Sequence, residues 1–219
     1  MIEKMNFDFH DSLKGKKYNL RNISNIQIKK LRNIYFEVAK KYLLIDKTNN
    51  KTIIDKLPLN IKDVGLIHRI FPESKFIFVL RHPCDSVLSC FFNRFGMNNA
   101  MINFYTLSDT VNFYNKIMLL WKQYITVLPI NYKTIKYENI IENIEKSIKP
   151  LINFINLEWD KSLLGYNNTA KKRTIINTPS YNQVIKPVYK KSIGRWKRYE
   201  KEITQVYPIL EKWIKEFNY

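Results

Sequence analysis

The sequence predicts an α/β fold built around an open parallel sheet. The apolar run from Lys75 to Leu80, bounded by Pro72 and Pro83, is typical of a strand buried on both faces. Apolar residues at helical spacing follow Pro83, which stands where a first helical position tolerates proline. Strand, helix and strand alternate between residues 52 and 80, which predicts a right-handed parallel βαβ unit.

The other elements follow from hydrophobic periodicity and from capping residues. Residues 1–22 show no period and are assigned to no element, and the 219 residues are expected to form a single domain. Further strands are predicted at Thr52–Ile54 and Tyr132–Tyr137, and helices from Asn22 or Ser24 to Ile45, over Asn60–Phe71, from a cap at Ser108 or Asp109 to Trp121, over Ile140–Leu157, and over Pro208–Phe217.

The chain is strongly basic, with 37 Lys and Arg residues against 19 Asp and Glu residues and a formal charge of +18. Such a balance favours an anionic partner. The basic residues are dispersed and accompany no recognition motif, so a nucleic-acid partner is not expected. The chain is also rich in Lys, Asn, Ile and Tyr, which are all specified by AT-rich codons, so base composition explains part of the positive charge. An anionic nucleotide would be attracted in either case.

Cysteine content and hydropathy indicate a cytoplasmic protein. Cys84 and Cys90 lie six residues apart on one predicted helix, where their side chains point to different faces, so neither a mutual disulfide nor a metal site is predicted. No apolar run reaches the length of a membrane span, and residues 1–18 lack the apolar core of a signal peptide. We therefore expect a soluble protein without a bound metal.

Arg81 and Ser89 are the candidate anion-binding residues. Arg81 ends the predicted strand beside a helix N-terminus, and Ser89 lies on that helix. A guanidinium, a hydroxyl and exposed helical N–H groups together suit a phosphate. The competing interpretation is that Arg81 pairs with Asp85 and that Ser89 is an ordinary helix serine, and these residues alone leave both open.

The arginine at the strand end and the serine eight residues later resemble the 3′-phosphate-binding segment of sulfotransferases that use 3′-phosphoadenosine 5′-phosphosulfate (PAPS). The resemblance extends from about Ile53 to the end of the chain, and is strongest to the tyrosylprotein sulfotransferase branch and its bacterial relatives fused to tetratricopeptide repeats. It implies a three-layer sandwich with a central parallel sheet, the P-loop-NTPase-like sulfotransferase fold. It also implies sulfuryl transfer from PAPS to a hydroxyl on a protein tyrosine, a sugar or a small alcohol.

The resemblance assigns a role to two further residues in the first two thirds of the chain. Lys56, in the segment DKLP, matches the family lysine that contacts the bridging oxygen of the sulfuryl donor, although it could equally be a surface lysine or a partner of Asp55. Tyr137 matches a tyrosine near the adenine, where its ring would supply stacking. Its alternative role is to cap the edge of the core.

The run TPSYNQVIKPVY, Thr178–Tyr189, resembles the family loop that closes over the nucleotide. Ser180 takes the place of the serine near the donor sulfate, and Gln183 and Lys186 belong to the QVxKP segment. Arg195 directly precedes a tryptophan, as does the family's basic residue close to the phosphates.

The first strand and the serine- or threonine-bearing 5′-phosphosulfate loop of the family are not found upstream of Lys56. Gly15 is the only glycine among residues 1–50, and Glu37, in the middle of a predicted helix, is not assigned as the catalytic base. We therefore expect an upstream domain or a partner chain to supply that loop. The alternative is an inactive or split domain that binds adenosine 3′,5′-bisphosphate without catalysis.

Overall fold

A computed structural model describes residues 22–43, 52–93, 95–96, 98–166 and 190–219. Across these ranges, no helix combines the length and the apolar character that crossing a bilayer requires. Short 3₁₀ helices cover Pro58–Asp63, Met101–Phe104, Lys161–Gly165, Lys190–Ser192 and Arg195–Tyr199. The regular elements are α1 (Asn25–Leu43), α2 (Val64–Ile70), β1 (Lys75–Leu80), α3 (Pro83–Phe91), α4 (Leu107–Val127), β2 (Asn131–Lys136), α5 (Tyr137–Glu142), α6 (Ile144–Phe154), α7 (Glu200–Thr204) and α8 (Tyr207–Glu216).

The two strands β1 and β2 form a parallel sheet, which confirms the predicted α/β class. The predicted strand at Thr52–Ile54 is wrong, because this segment joins no ladder among the described residues and the Ile54 side chain is 69% exposed. A short run with two apolar residues becomes a strand only where a neighbouring strand satisfies its backbone. The predicted βαβ unit through residues 52–80 is therefore not formed, and β1 pairs with β2 instead.

The β1 strand is half-buried rather than buried on both faces. Its burial alternates along the chain, with Ile77 and Val79 exposed and Leu80 buried. Alternation of this kind is expected when only one face of a strand is covered. The prediction of a fully buried strand is thus wrong for the part of the chain that the structure describes.

The chain divides into two compact units, which we describe separately. The first comprises Met1–Ser74 and Leu119–Asn131, and its core joins α1 to α2 through Ile28, Leu31, Tyr35, Leu66 and Ile70. The α1 helix begins after Ser24 as predicted, because the Ser24 and Gln27 side chains cap each other's backbone N–H groups. The Nε atom of Arg32 also donates to the Ile70 carbonyl over 2.7 Å and fixes the end of α2.

The second unit comprises Lys75–Met118 and Tyr132–Tyr219. Its core joins α3 to the first part of α4, to α7 and to α8. Pro83 occupies the first turn of α3, as the sequence predicts. The most deeply buried side chains of this core are Cys84, Val87, Leu88, Val111, Ile203 and Leu210.

Capping side chains explain two of the helix boundaries that differ from the prediction. The α4 helix is capped by Thr106 rather than by Ser108 or Asp109, since Thr106 Oγ1 accepts from the Asp109 N–H at 3.0 Å and donates to the Asp109 carboxylate at 2.6 Å. The predicted helix Ile140–Leu157 is two helices, because Asn143 is extended and its side chain caps α6. Cys84 is buried and Cys90 is partly buried, and both are free thiols.

Candidate functional site

Arg81 and Tyr137 each follow a strand of the sheet and lie next to each other. Parallel strands present their carboxyl ends at one edge, where open α/β sheets bind ligands. The Arg81 guanidinium carbon lies 5.3 Å from the centroid of the Tyr137 ring. Arg81 Nη2 donates to the Ser192 carbonyl at 2.5 Å, and the Tyr137 hydroxyl lies 2.9 Å from Ser192 Oγ. These three residues form a cluster that we term the arginine cluster.

The arginine cluster retains hydrogen-bonding capacity. Arg81 Nε is buried and has no hydrogen-bond partner within the described part of the chain. A buried donor left unpaired costs about 1 to 3 kcal/mol, so the arrangement favours a ligand acceptor at this place. The guanidinium plane and one N–H group therefore suit an anionic oxygen.

Asp85 does not pair with Arg81, which removes one part of the competing interpretation, while the role of Ser89 stays open. Its carboxylate accepts from the backbone N–H of Gly194 at 2.7 Å and from that of Trp196 at 2.8 Å. The side chain is 1% exposed and belongs to the first turn of α3. The helix dipole favours a carboxylate there, and two N–H donors offset its loss of hydration.

Ser89 lies on the same helix as Asp85, and Arg195 contacts the residue that follows this helix. Ser89 is half-buried on α3, and its hydroxyl makes no hydrogen bond to another described residue. Arg195 is exposed, and its guanidinium carbon lies 4.9 Å from the ring centroid of Phe92, the C-cap residue of α3. Ser89 and Phe92 are three residues apart and share one face of the helix. The structure thus brings Arg195 to Phe92, one helical turn from Ser89.

Glu138 is a structural residue of this region to which the sequence alone assigns no role. Its Oε1 atom accepts from the backbone N–H of His82 at 2.9 Å, and its Oε2 atom accepts from the Tyr219 hydroxyl at 2.8 Å. These partners are 56 and 81 residues away in the chain, so no local pattern could have indicated them. Glu138 fixes the turn between β1 and α3, directly beside Arg81.

His82 is held in the same turn as a neutral ring. It stacks on Trp196 at 5.2 Å between centroids and 14° between planes. Burial lowers the pKa of His82, and Lys197 and Arg81 act in the same direction against the opposing effect of the nearby carboxylates. At neutral pH the imidazole therefore contributes packing and no charge.

Lys56 lies in the first unit, in an irregular segment rather than at a strand end as predicted. Its side chain is exposed. Lys56 is also not paired with Asp55 among the described contacts, because Asp55 accepts from the Tyr35 hydroxyl at 3.4 Å and from Asn60 Nδ2 at 3.3 Å. These bonds fix the residue that precedes Lys56 and leave the lysine ammonium in solvent.

Three residues of the predicted site, namely Ser180, Gln183 and Lys186, lie outside the described residues. The segment around Gly15, in which no donor loop is recognised, lies outside them as well. The site that the structure describes is therefore the arginine cluster with Ser89 and Arg195.

Comparison with known proteins supports the resemblance. An uncharacterized protein of Aquifex aeolicus is 31% identical over 170 residues, which cover 76% of this chain and 22% of that protein. Protein-tyrosine sulfotransferase 2 of Gallus gallus is 24% identical over 149 residues, which cover 66% of this chain and 40% of that protein. The chain therefore matches well under half the length of these two relatives.

A solved structure and a family model agree with these relatives. The sulfotransferase domain of the Synechococcus PCC 7002 olefin synthase superposes with a TM-score of 0.51 at 21% identity, and the match covers 87% of this chain and 72% of that one, which supports the fold. The model of the sulfotransferase family matches residues 10–161, well over half of the sequence. The chain belongs to the sulfotransferase family.

Proposed function

We propose that this chain transfers a sulfuryl group from PAPS to a hydroxyl acceptor. Membership of the sulfotransferase family supports the reaction class. The observation that carries the donor assignment is the buried Arg81 Nε atom, which has no partner in the described part of the chain, at an edge where Ser89 and Arg195 add a hydroxyl and a second guanidinium. These are groups that bind a phosphate rather than an uncharged ligand.

In this proposal Arg81, Ser89 and Arg195 bind the 3′-phosphate of the nucleotide. The Tyr137 ring supports the Arg81 guanidinium from one side, and its hydroxyl bonds to Ser192. Contact between Tyr137 and the adenine is part of the same proposal. None of these groups exchanges a proton during transfer, so they act through binding and orientation.

PAPS supplies an activated sulfuryl group, and the bridging oxygen gains negative charge as its bond to sulfur lengthens. We assign Lys56 to stabilise that charge, as its match to the family lysine implies, because an ammonium is most effective where charge develops in the transition state. Ser180 is assigned to the same sulfate by the resemblance. Gln183 and Lys186 are assigned to close over the nucleotide.

The proposed acceptor is a protein tyrosine. Support comes from relatives named protein-tyrosine sulfotransferases, each matched over a minor part of its length. A sugar or a small alcohol would give a different product in the same assay. A cytoplasmic location also stays a proposal, and the free thiols Cys84 and Cys90 are consistent with it.

The donor site is tested by calorimetry with adenosine 3′,5′-bisphosphate. Replacing Arg81 with alanine removes a charge-assisted phosphate contact worth about 1.5 to 3 kcal/mol, so Arg81→Ala should weaken binding roughly tenfold to a hundredfold. Lys201→Ala is the matched control, because it removes one exposed positive charge from α7. Adenosine 5′-monophosphate, which lacks the 3′-phosphate, should bind more weakly than the bisphosphate to the unmodified chain.

Two results would contradict the donor assignment. One is an unchanged affinity in Arg81→Ala, and the other is an equal affinity for the two nucleotides. Transfer of radiolabelled sulfate from PAPS to a tyrosine peptide then separates the enzyme from the alternative, a domain that binds the bisphosphate nucleotide without catalysis. Binding without transfer would favour that alternative.

A further inference from the structure

We propose that Asp85 is a positioning residue for the phosphate site, which holds the turn Gly194–Trp196 against α3 and thereby places Arg195 beside Ser89. This inference rests on the proposed function, because it names how the second guanidinium reaches the same anion as Arg81. Asp85 itself makes no contact with the ligand. It acts through Arg195.

The carboxylate of Asp85 is fully committed to this turn. Both of its oxygens accept backbone N–H groups, one from Gly194 and one from Trp196, over 2.7 Å and 2.8 Å. The residue between them is Arg195, whose side chain is exposed. One hydrogen bond on each side of Arg195 fixes its backbone, while its guanidinium stays available for a ligand.

Further contacts fix the same turn. The Ser192 carbonyl accepts from Arg81, and the Trp196 ring stacks on His82. Gly194 has φ of 66°, the left-handed conformation that the turn requires. The turn is thus tied to the β1–α3 connection at several points, with the buried carboxylate at its centre.

The spacing of residues along α3 explains how the turn Gly194–Trp196 would place Arg195 near Ser89. Asp85, Ser89 and Phe92 are spaced four and three residues apart, so they follow one stripe along α3. Asp85 holds the turn at the start of the stripe, and the Arg195 guanidinium lies over Phe92 at its end. Ser89 lies between them. An anion bound by Ser89 therefore meets Arg195 in a conformation that exists before binding, without the cost of ordering it.

The test uses Asp85→Asn, Arg195→Ala and the double variant, with calorimetry on adenosine 3′,5′-bisphosphate. Asparagine offers one acceptor oxygen and turns an NH₂ group toward the second backbone donor, so the turn is released. Each single variant should bind about tenfold more weakly. The double variant should bind like Arg195→Ala alone, because the two residues act as a unit.

A second readout needs no nucleotide. Amide hydrogen exchange of Gly194 and Trp196 should accelerate in Asp85→Asn, since both N–H groups bond to the carboxylate. Asp109→Asn is the matched control: it is an acidic residue in the first turn of α4, exposed and bonded within its own cap. It should leave nucleotide affinity within about twofold.

The outcomes separate this inference from the proposed function. Additive losses in the double variant, wild-type affinity in Asp85→Asn, or unchanged exchange at Gly194 and Trp196 would overturn the role of Asp85 alone. Failure of the unmodified chain to bind the nucleotide would overturn the proposed function and this inference with it. If Asp85→Asn does not fold, Gly194→Ala disturbs the same turn through its backbone, and an unchanged affinity there would overturn the inference equally.

Discussion

The surroundings of Arg81 and of Lys56 differ in how firmly they hold a functional side chain. Arg81 lies against the Tyr137 ring, donates to the Ser192 carbonyl and follows a strand whose end is fixed by Glu138. Lys56 is exposed in an irregular segment, and only its neighbour Asp55 is bonded. The proposed phosphate-binding group is thus fixed before a ligand arrives, whereas the proposed catalytic ammonium would take up its position only when substrate binds.

The largest effect of a substitution is expected at Lys56, whose side chain is exposed. In a form of the enzyme that transfers sulfate, Lys56→Ala should lower kcat by on the order of a hundredfold or more, with nucleotide affinity almost unchanged, because the ammonium acts on the transition state. Radiolabelled sulfate transfer and calorimetry on the same preparation measure both quantities. Lys30→Ala removes one exposed positive charge from α1 and serves as the control. Wild-type turnover in Lys56→Ala would return Lys56 to an ordinary surface role.

The second comparison is between two tyrosine hydroxyls, that of Tyr219 near Arg81 and that of Tyr35 near Lys56. Tyr219 donates to the Glu138 carboxylate at 2.8 Å, so Tyr219→Phe should reduce the free energy of unfolding by about 2 kcal/mol, the range for a bond to a charged acceptor. Urea unfolding at pH 7 measures the loss. The variant should also weaken nucleotide binding, since Glu138 helps to fix the turn that carries Arg81.

The matching change in the other region is Tyr35→Phe. The Tyr35 hydroxyl reaches Asp55 only at 3.4 Å, which is a long hydrogen bond, so its removal should cost less than about 0.5 kcal/mol. Tyr35 is itself buried, and the substitution keeps its ring in the core. Equal losses in the two variants would show that the difference between the regions is not one of hydrogen-bond strength.

The smallest expected effect is the contribution of His82, beside Arg81, to the pH dependence of the free energy of unfolding. Burial lowers the pKa of His82, so its contribution to stability is complete above the ordinary histidine pKa of about 6.5 and is lost as the pH falls below it. Lys197 and Arg81 favour the neutral ring, and Asp85 and Glu138 oppose them. His82→Phe keeps a ring against Trp196 and should flatten the decline of unfolding free energy between pH 7.5 and about 5.5. Parallel declines in the two proteins would exclude this role for His82.

The sequence predicted those parts of the fold and the site that depend on local spacing. Arg81 follows a strand and Ser89 lies on the next helix because a strand, a proline and an apolar stripe are all visible within twenty residues or so. The cap of α4 could also have been found, since Thr106 and Asp109 form the pattern that caps a helix reciprocally.

The rest depended on contacts that no local pattern encodes. Asp85 appeared as a plausible partner of Arg81, its neighbour in sequence, yet its bonds go to residues 109 and 111 positions away. The run Thr52–Ile54 had the composition of a strand, but a strand exists only through its pairing. Short apolar runs and buried carboxylates are therefore the features whose structure only the tertiary fold decides.

The left-handed conformation of Gly194 has a consequence for how this sequence can vary among homologues. An added side chain at this position would meet only the Lys197 chain, at 4.0 Å, so space does not restrict it. The backbone angle does, and we expect glycine here, with asparagine as its commonest replacement. The two N–H groups that bind Asp85 are also two residues apart, so an insertion between Gly194 and Trp196 would break at least one of the two bonds and should not occur among homologues.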